Sequence, residues 1–275
     1  MRTIRPLAAS EIETLLGWAA AEGWNPGLAD AAAFGAADPD GFLGAFVGGE
    51  FVAGISAAAY GDDFGFIGLY ICRLDQRGKG HGRAVWDAGM ARLAGRTIGL
   101  DGVPEQQANY ASMGFARSHE TIRMTGTLRA PGPPDDVVAV TSDLLPQVRE
   151  IDRRCFPAAR DSFLDHWLAP PRQVLAVVRA GELCGYGVVR RCIEGHKIGP
   201  LFADSLATAE GLLRSLGSVA GGPIAIDVPA AQVGLLAALA SAGFLPGFST
   251  ARMYRGPAPP IAAEMVFGVT TLELG

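Results

Sequence analysis

The sequence predicts an α/β protein built from two tandem copies of one fold. Three observations carry this expectation. Segments of strand and helix period alternate through both halves of the 275-residue chain. A proline-rich stretch, Ala130-Pro131-Gly132-Pro133-Pro134-Asp135-Asp136, divides the chain near its middle; its three prolines remove donors and fix φ, so it is neither helix nor central strand. Short matches then recur in order at an offset of about 130 residues. Gly49-Glu50-Phe51-Val52 returns as Gly181-Glu182-Leu183-Cys184, Ile98-Gly99-Leu100-Asp101 as Ile224-Ala225-Ile226-Asp227, Gly114-Phe115 as Gly243-Phe244, and Arg123-Met124 as Arg252-Met253. The expected division is a first domain over 1–129, a linker over 130–136 and a second domain over 137–275.

The first domain opens with a short strand, Arg2 to Pro6. Ser10 and Glu13 read as a capping box for a helix whose apolar face is Ile12, Leu15, Leu16 and Ala19, and Gly23 ends it. Trp24-Asn25-Pro26-Gly27 is a turn, followed by a second short helix over 28–36. Strands Phe42–Val47 and Phe51–Ala59 join at Gly48-Gly49, a two-residue hairpin signal. Phe64–Arg73 follows the Gly61-Asp62-Asp63 turn. A glycine-rich loop over 76–82 leads into a helix over 82–94 with Trp86, Met90 and Leu93 on one face. Strand Thr97–Leu100, helix 104–113 and strand Phe115–Thr125 complete the order β-α-α-β-β-β-α-β-α-β. The second domain repeats it. Helices 143–156 and 161–168 precede strands Val174–Val178 and Glu182–Cys192, which meet over Ala180-Gly181. Strand Lys197–Phe202, helix 205–216, strand Ile224–Val228, helix 230–242 and strand Phe248–Tyr254 follow. Gly256-Pro257-Ala258-Pro259-Pro260 then isolates a tail, Val266 to Leu274, that reads as a terminal strand.

Composition narrows the function. The chain is 49% hydrophobic and 19% charged with a mean hydropathy of +0.23, ample for packed cores and incompatible with a disordered chain. A net charge of −5 and a pI of 5.4 give no electrostatic pull on nucleic acid or an anionic membrane, so neither is an expected partner. Cys72, Cys155, Cys184 and Cys192 form no CxxC pair and have no zinc-ligand spacing with histidine. No metal is expected, and the thiols read as free in a reducing cytoplasm. No signal peptide is read at the start, and no window reaches the ~18 apolar residues of a membrane helix. A cytoplasmic protein is expected.

The sharpest local signal is Arg77-Gly78-Lys79-Gly80-His81-Gly82, after a strand and at the start of a helix. Its glycines let the backbone turn sharply and approach a ligand, and its N–H groups with the helix dipole suit a phosphate or pyrophosphate. The spacing is neither that of a P-loop nor G-x-G-x-x-G. A tight turn without a ligand is the plain alternative.

Here the chain resembles a known family. Arg77-x-x-Gly80-x-Gly82 after an apolar strand is similar to the acetyl-CoA loop of GNAT-type N-acetyltransferases. Tyr110-Ala111-Ser112-Met113-Gly114-Phe115 resembles the family's Y-x-x-x-G-F segment, and the element order is the family's order. The resemblance implies, for each domain, a mixed, mostly antiparallel central sheet flanked by helices. It implies acetyl-CoA as co-substrate, with backbone groups of Tyr70, Ile71 and Cys72 along the pantetheine arm. Arg77, Gly78, Lys79, Gly80, His81, Gly82 and Arg83 would surround the pyrophosphate, and Asn109 would touch the cofactor. Tyr110 would protonate the departing thiolate. The acceptor would be the amine of a small molecule, or less readily of a peptide, taken directly in a ternary complex. It would sit at the turn between the first two helices, where Trp24 offers a flat wall and Asn25 a directional hydrogen bond. An ammonium must lose a proton before attack. Asp101 ranks first among the side chains as base, ahead of Asp62, Asp63, His119 and Glu120, with a water relay equally open, while its parallel Asp227 favours a structural role. A non-catalytic coenzyme A or metabolite sensor is the rival reading, and a nucleotide-binding protein the next.

The second copy lacks the chemistry. Its corresponding stretch, Gly199-Pro200-Leu201-Phe202-Ala203-Asp204-Ser205-Leu206-Ala207, has no glycines after the strand, and Leu239 stands where Tyr110 would. Asp204 reads as the N-cap of the next helix. This degenerate domain is expected to close the acceptor site or to support a homodimer, with Asp152, Arg160, Trp167, Arg190 and Arg191 as candidates to face that site. The first domain is one strand short of the family's sheet, so the tail is expected to cover a sheet edge at the seam between the domains.

Overall fold

In a computed structural model, which describes residues 1–128 and 136–275, the predicted elements form in the predicted order. The first half runs β1 (Arg2–Pro6), α1 (Ala9–Ala21), α2 (Asp30–Ala37), β2 (Phe42–Val47), β3 (Glu50–Tyr60), β4 (Phe64–Cys72), α3 (His81–Arg92), β5 (Thr97–Gly102), α4 (Pro104–Ser112) and β6 (Ala116–Gly126). The second half begins β7 (Val137–Ala139), α5 (Leu145–Cys155), α6 (Asp161–Trp167), β8 (Gln173–Arg179), β9 (Glu182–Arg191) and β10 (His196–Ala203). It ends α7 (Leu206–Ala220), β11 (Ile224–Pro229), α8 (Val233–Ser241), β12 (Leu245–Arg255) and β13 (Val266–Gly268). Strand β7 has no counterpart among the expected elements, because three residues are too few to show a period. The linker expected over 130–136 lies outside the described residues except for Asp136, whose carboxylate accepts from Arg179 Nε at 3.0 Å.

Local chemistry sets the ends. Helix α1 buries the expected Ile12, Leu15, Leu16 and Ala19. Its cap lies earlier than the predicted Ser10–Glu13 box: the Glu11 carboxylate accepts the Ala8 N–H at 2.7 Å and is gripped by Arg5. Leu7 N–H donates to Phe42 O at 2.7 Å, which pins the chain to β2 and makes Ala8 the last residue before the helix. Gly48 and Gly49 have φ of +59° and +90°, the two positive values a tight hairpin turn needs. Helix α7 is capped by Ser205, whose Oγ accepts Thr208 N–H, rather than by the expected Asp204.

The halves do not keep their sheets apart. One path of strands runs β1-β2-β3-β4-β5-β12-β6-β11-β10-β9-β8-β7, with β13 on β10. Among the described residues only the β4–β5 and β10–β11 joints are parallel, so each half has the expected mixed, mostly antiparallel sheet flanked by helices. The last strands are exchanged: β12 of the second half fills the place beside β5, and β6 of the first half lies beside β11. Thr121 and Thr250 face each other where β6 meets β12, near the centre of a two-fold-like arrangement. The exchange is clamped symmetrically by two ion pairs. Arg252 holds Asp101 at 2.8 Å to both oxygens, and Arg123 holds Asp227 at 2.7 and 2.8 Å.

Helices α1, α2, α5 and α6 share one core on one face of this sheet, where Phe34 stacks on Trp167 at 6.3 Å. Helix α3 packs on the other face of the first half, and α7 and α8 on that of the second. The tail does not cover a sheet edge at the seam as expected: only Val266–Gly268 is strand, and it pairs with β10 inside the second half's sheet, because the place expected to be empty in the first half is filled by β12. Val269 N–H then donates to Asp227 O, and the chain crosses into the first half. Arg160 donates to Thr270 Oγ1 at 2.8 Å and to Gly275 O at 3.3 Å; Ser56 Oγ and Tyr60 Oη donate to the carbonyls of Glu273 and Leu274.

Candidate active site

Strands β4 and β5 pair only from Phe64–Thr97 to Ile67–Leu100 and then part. The parting coincides with a bulge: Leu69 has φ of +45°, and the β3–β4 register shifts between Gly54 and Ser56. A leucine at positive φ is uncommon, and such strain gathers at functional sites. The gap opens into a cavity of about 510 Å³. Its walls are Ile67–Cys72 of β4, Leu100 and Asp101 of β5, and Gln106, Asn109 and Tyr110 of α4, with Glu22 and Arg77 among its lining. Trp24, Arg123, Phe248, Thr250, Leu272 and Glu273 complete it, so the exchanged strands and the tail build part of the cavity.

Cys72 leads into the glycine turn. Gly78 and Gly80 have φ of +76° and +77°, and Gly80 is the N-cap of α3 with no side chain bonding the first amides. Those amides and the positive helix end suit an anion. Arg77 is held in place: Nε donates to Cys72 O at 3.0 Å and its guanidinium pairs with Glu22. Lys79 donates to Asp75 O and Gln76 Oε1, and Arg83 pairs with Asp87 one turn on. His81 Nδ1 is buried without a partner. Gly82 lies so close to the Tyr70 hydroxyl that a Cβ would sit 3.1 Å from it. An acyl-CoA fits this donor set: unpaired strand edges along the gap for a pantetheine arm, helix amides and Arg77 for a pyrophosphate.

Tyr110 stacks on Trp86 at 5.5 Å and meets Phe115 edge-on at 6.3 Å, which fixes its ring in the cavity wall. Burial pushes its hydroxyl up to about 12, and neighbouring Tyr70 adds to the shift. Tyr70 itself is raised by burial and then by Cys72, and burial likewise pushes the Cys72 thiol up. The phenol of Tyr110 therefore holds its proton at neutral pH.

The remaining candidates divide. Trp24 and Asn109 line the cavity; Asn109 Nδ2 donates to Gln106 Oε1 at 3.3 Å. Asn25 does not line it: its side chain bonds Glu194 O at 2.8 Å and Glu194 N–H at 2.9 Å, clipping the turn to the second half. Asp101 lines the cavity but both oxygens are committed to Arg252, the structural role that the Asp101–Asp227 parallel favoured. Asp62 and Asp63 sit in the turn before β4, at the opposite end from the gap. Burial holds His119 below the ordinary imidazole range, and Glu120 pairs with Arg117. In the second half, Asp152 and Arg160 form a buried pair that anchors the tail, and Arg190 and Arg172 grip Asp30 over the Trp167 ring. The place matching the β4–β5 gap is taken by the tail: a Cβ on Gly199 would lie 2.5 Å from Val269 O. Glu273 and Phe248 carried no motif. The one hint was that Glu273 is the sole charged residue after Met265 in an apolar run.

A parted parallel strand pair with a bulge and a buried tyrosine on one cavity, next to a glycine turn that opens a helix, define an acyl-CoA-type acyltransferase fold, present here in tandem. Residues 9–119 match the Acetyltransferase (GNAT) family and residues 148–268 an Acetyltransferase (GNAT) domain. The chain is 33% identical to Holothin acyltransferase of Pseudoalteromonas sp. (strain SANK 73390) over 99% of its own length and 94% of that protein. It belongs to the GNAT acetyltransferase family. Among solved structures, a candidate acetyltransferase from Pyrococcus horikoshii has a TM-score of 0.85 at 24% identity, covering 100% of this chain and 96% of that one. A tandem GNAT protein from the clavulanic acid biosynthesis pathway has a TM-score of 0.63 at 18% identity, over 94% of this chain and 100% of that one. These two share the fold. No helix among the described residues is long and apolar enough to cross a membrane.

Proposed function

We propose that the protein is an N-acyltransferase that moves an acetyl group from acetyl-CoA directly to the amine of a small molecule. One observation carries the reading: the parted β4–β5 edges and Tyr110 line one cavity, which Arg77 borders at the start of the glycine turn and which continues to Trp24 and Phe248. In this reading, backbone groups of Tyr70, Ile71 and Cys72 line up the pantetheine arm, and the amides of Gly78 to Arg83 with Arg77 receive the pyrophosphate. Acetyl-CoA supplies the activated acyl group. Tyr110 gives its proton to the sulfur as the C–S bond breaks. The name of the 33%-identical relative supports acyl transfer and makes holothin the first acceptor to try.

The test is calorimetry with acetyl-CoA, followed by free-thiol release with holothin and a panel of primary amines. The expected result is one acetyl-CoA per chain and amine-dependent thiol release. Binding without thiol release for any amine would instead establish the sensor reading; no binding would remove both.

A further inference from the structure

We propose that Glu273, carried in by the C-terminal tail, is the group that recognises the acceptor's ammonium and takes its proton. The proposal rests on the acyl-transfer reading of the same cavity. Five charged side chains line that cavity, and four are already paired: Glu22 with Arg77, Asp101 with Arg252, and Arg123 with Asp227. Glu273 is the fifth, and among the described residues its carboxylate forms no ion pair and accepts no side-chain hydrogen bond. It is 8% exposed overall, yet its oxygens are not among the sealed polar atoms, so they open on the cavity.

Its backbone is placed firmly. Ser56 Oγ donates to Glu273 O at 3.2 Å, Tyr60 Oη to Leu274 O at 3.1 Å, and Arg160 to the chain end. Gly68 lies against it: a Cβ there would stand 2.1 Å from Glu273 O. The carboxylate thus enters beside the bulge at Leu69, where the thioester end of a pantetheine arm would lie. Arg123 of β6, Arg190 of β9, Lys197 of β10 and Cys192 are near enough to couple to it electrostatically. Arg123 is spent on Asp227, and Lys197 donates to Trp24 O at 2.8 Å. The same cavity is also lined by the apolar and aromatic side chains of Trp24, Phe248 and Leu272. The substrate class that matches is a primary ammonium on a small, flat, apolar body.

The step balances. The Glu273 carboxylate takes one proton from R–NH3⁺. The freed nitrogen forms a C–N bond at the thioester carbonyl, and the C–S bond breaks with its electron pair on sulfur, which takes the Tyr110 proton. The surplus proton on nitrogen restores the Tyr110 hydroxyl, and the proton on Glu273 leaves to solvent.

Phenethylammonium chloride and acetyl-CoA are the probes. Calorimetry on wild type and Glu273→Gln should show about 10-fold or weaker phenethylammonium binding in the variant, from loss of a charge-assisted contact. Acetyl-CoA affinity and melting temperature should be unchanged. Thiol release with both probes should fall about 10²-fold or more, and formate should restore part of it to Glu273→Ala. Equal phenethylammonium affinity and equal turnover in Glu273→Gln would overturn the assignment while leaving acyl transfer standing. So would a wild type that binds acetyl-CoA but not phenethylammonium. A wild type that does not bind acetyl-CoA would overturn the underlying reading itself.

Discussion

Tyr110 is a residue whose environment fits one task. Its ring is clamped by Trp86 and Phe115, and burial pushes its pKa to about 12. A phenol that keeps its proton can donate it to a thiolate, and the sign of the shift sets the pH behaviour. The acid form persists until the pH approaches 12, so kcat should show no alkaline loss from this group between pH 7 and 10. Tyr110→Phe should lower kcat by about 10–10³-fold with acetyl-CoA affinity nearly unchanged; equal turnover would assign the proton to water or another group. Asp101 shows the opposite fate. Its carboxylate and Arg252 are both buried and locked together. Removing one partner of such a pair leaves an uncompensated buried charge, which costs about 3–5 kcal/mol. Arg252→Met should destabilise by that amount in urea denaturation, and Asp101→Leu added to it should recover part of the loss.

At the scale of elements, the turn before α3 depends on backbone shape. Gly80 sits at φ of +77°, and a Cβ there would meet Arg2 Nη1 at 3.9 Å, an ordinary contact, so a side chain is not excluded by crowding. It is excluded by what must approach it. Gly80→Asp tolerates the left-handed conformation better than most residues but places a negative charge at the helix end meant for a pyrophosphate. It should abolish acetyl-CoA binding in calorimetry while leaving the melting temperature within a few degrees; unchanged affinity would show that the pyrophosphate lies elsewhere. The second half has lost this element, and the tail occupies the equivalent gap beside Gly199. One strand therefore closes one cleft before its end completes the other.

For the whole molecule, the exchange of β6 and β12 makes the halves a single sheet around a shared core of α1, α2, α5 and α6. Part of the cavity wall comes from these exchanged strands and the tail. Deleting residues 269–275 removes the partners of Ser56, Tyr60 and Arg160 and uncovers Phe66 and Phe156. Leaving those buried groups unsatisfied should lower the melting temperature by about 5 °C or more. Thiol release should be lost, because Glu273 goes with the segment. A truncated protein with unchanged melting temperature and turnover would show that the tail contributes neither to the fold nor to the site.

The sequence by itself determined the elements, their duplication, the glycine turn and Tyr110. These are local facts: periods of 2 and 3.6, glycines at positive φ, and a tyrosine at a fixed spacing from Gly114-Phe115 can all be read within a dozen residues. It also held the matched pairs Asp101/Asp227 and Arg123/Arg252, but not that they cross-pair. Only the tertiary structure decided that Arg252 meets Asp101 across 151 positions, that Asn25 clips the seam, and that Glu273 reaches the first half's cavity. The physical reason is the same in each case. An apolar alternating segment states that a strand is buried but not which strand lies beside it. That choice falls to side-chain charges and hydrogen bonds that meet only once the chain has folded back on itself.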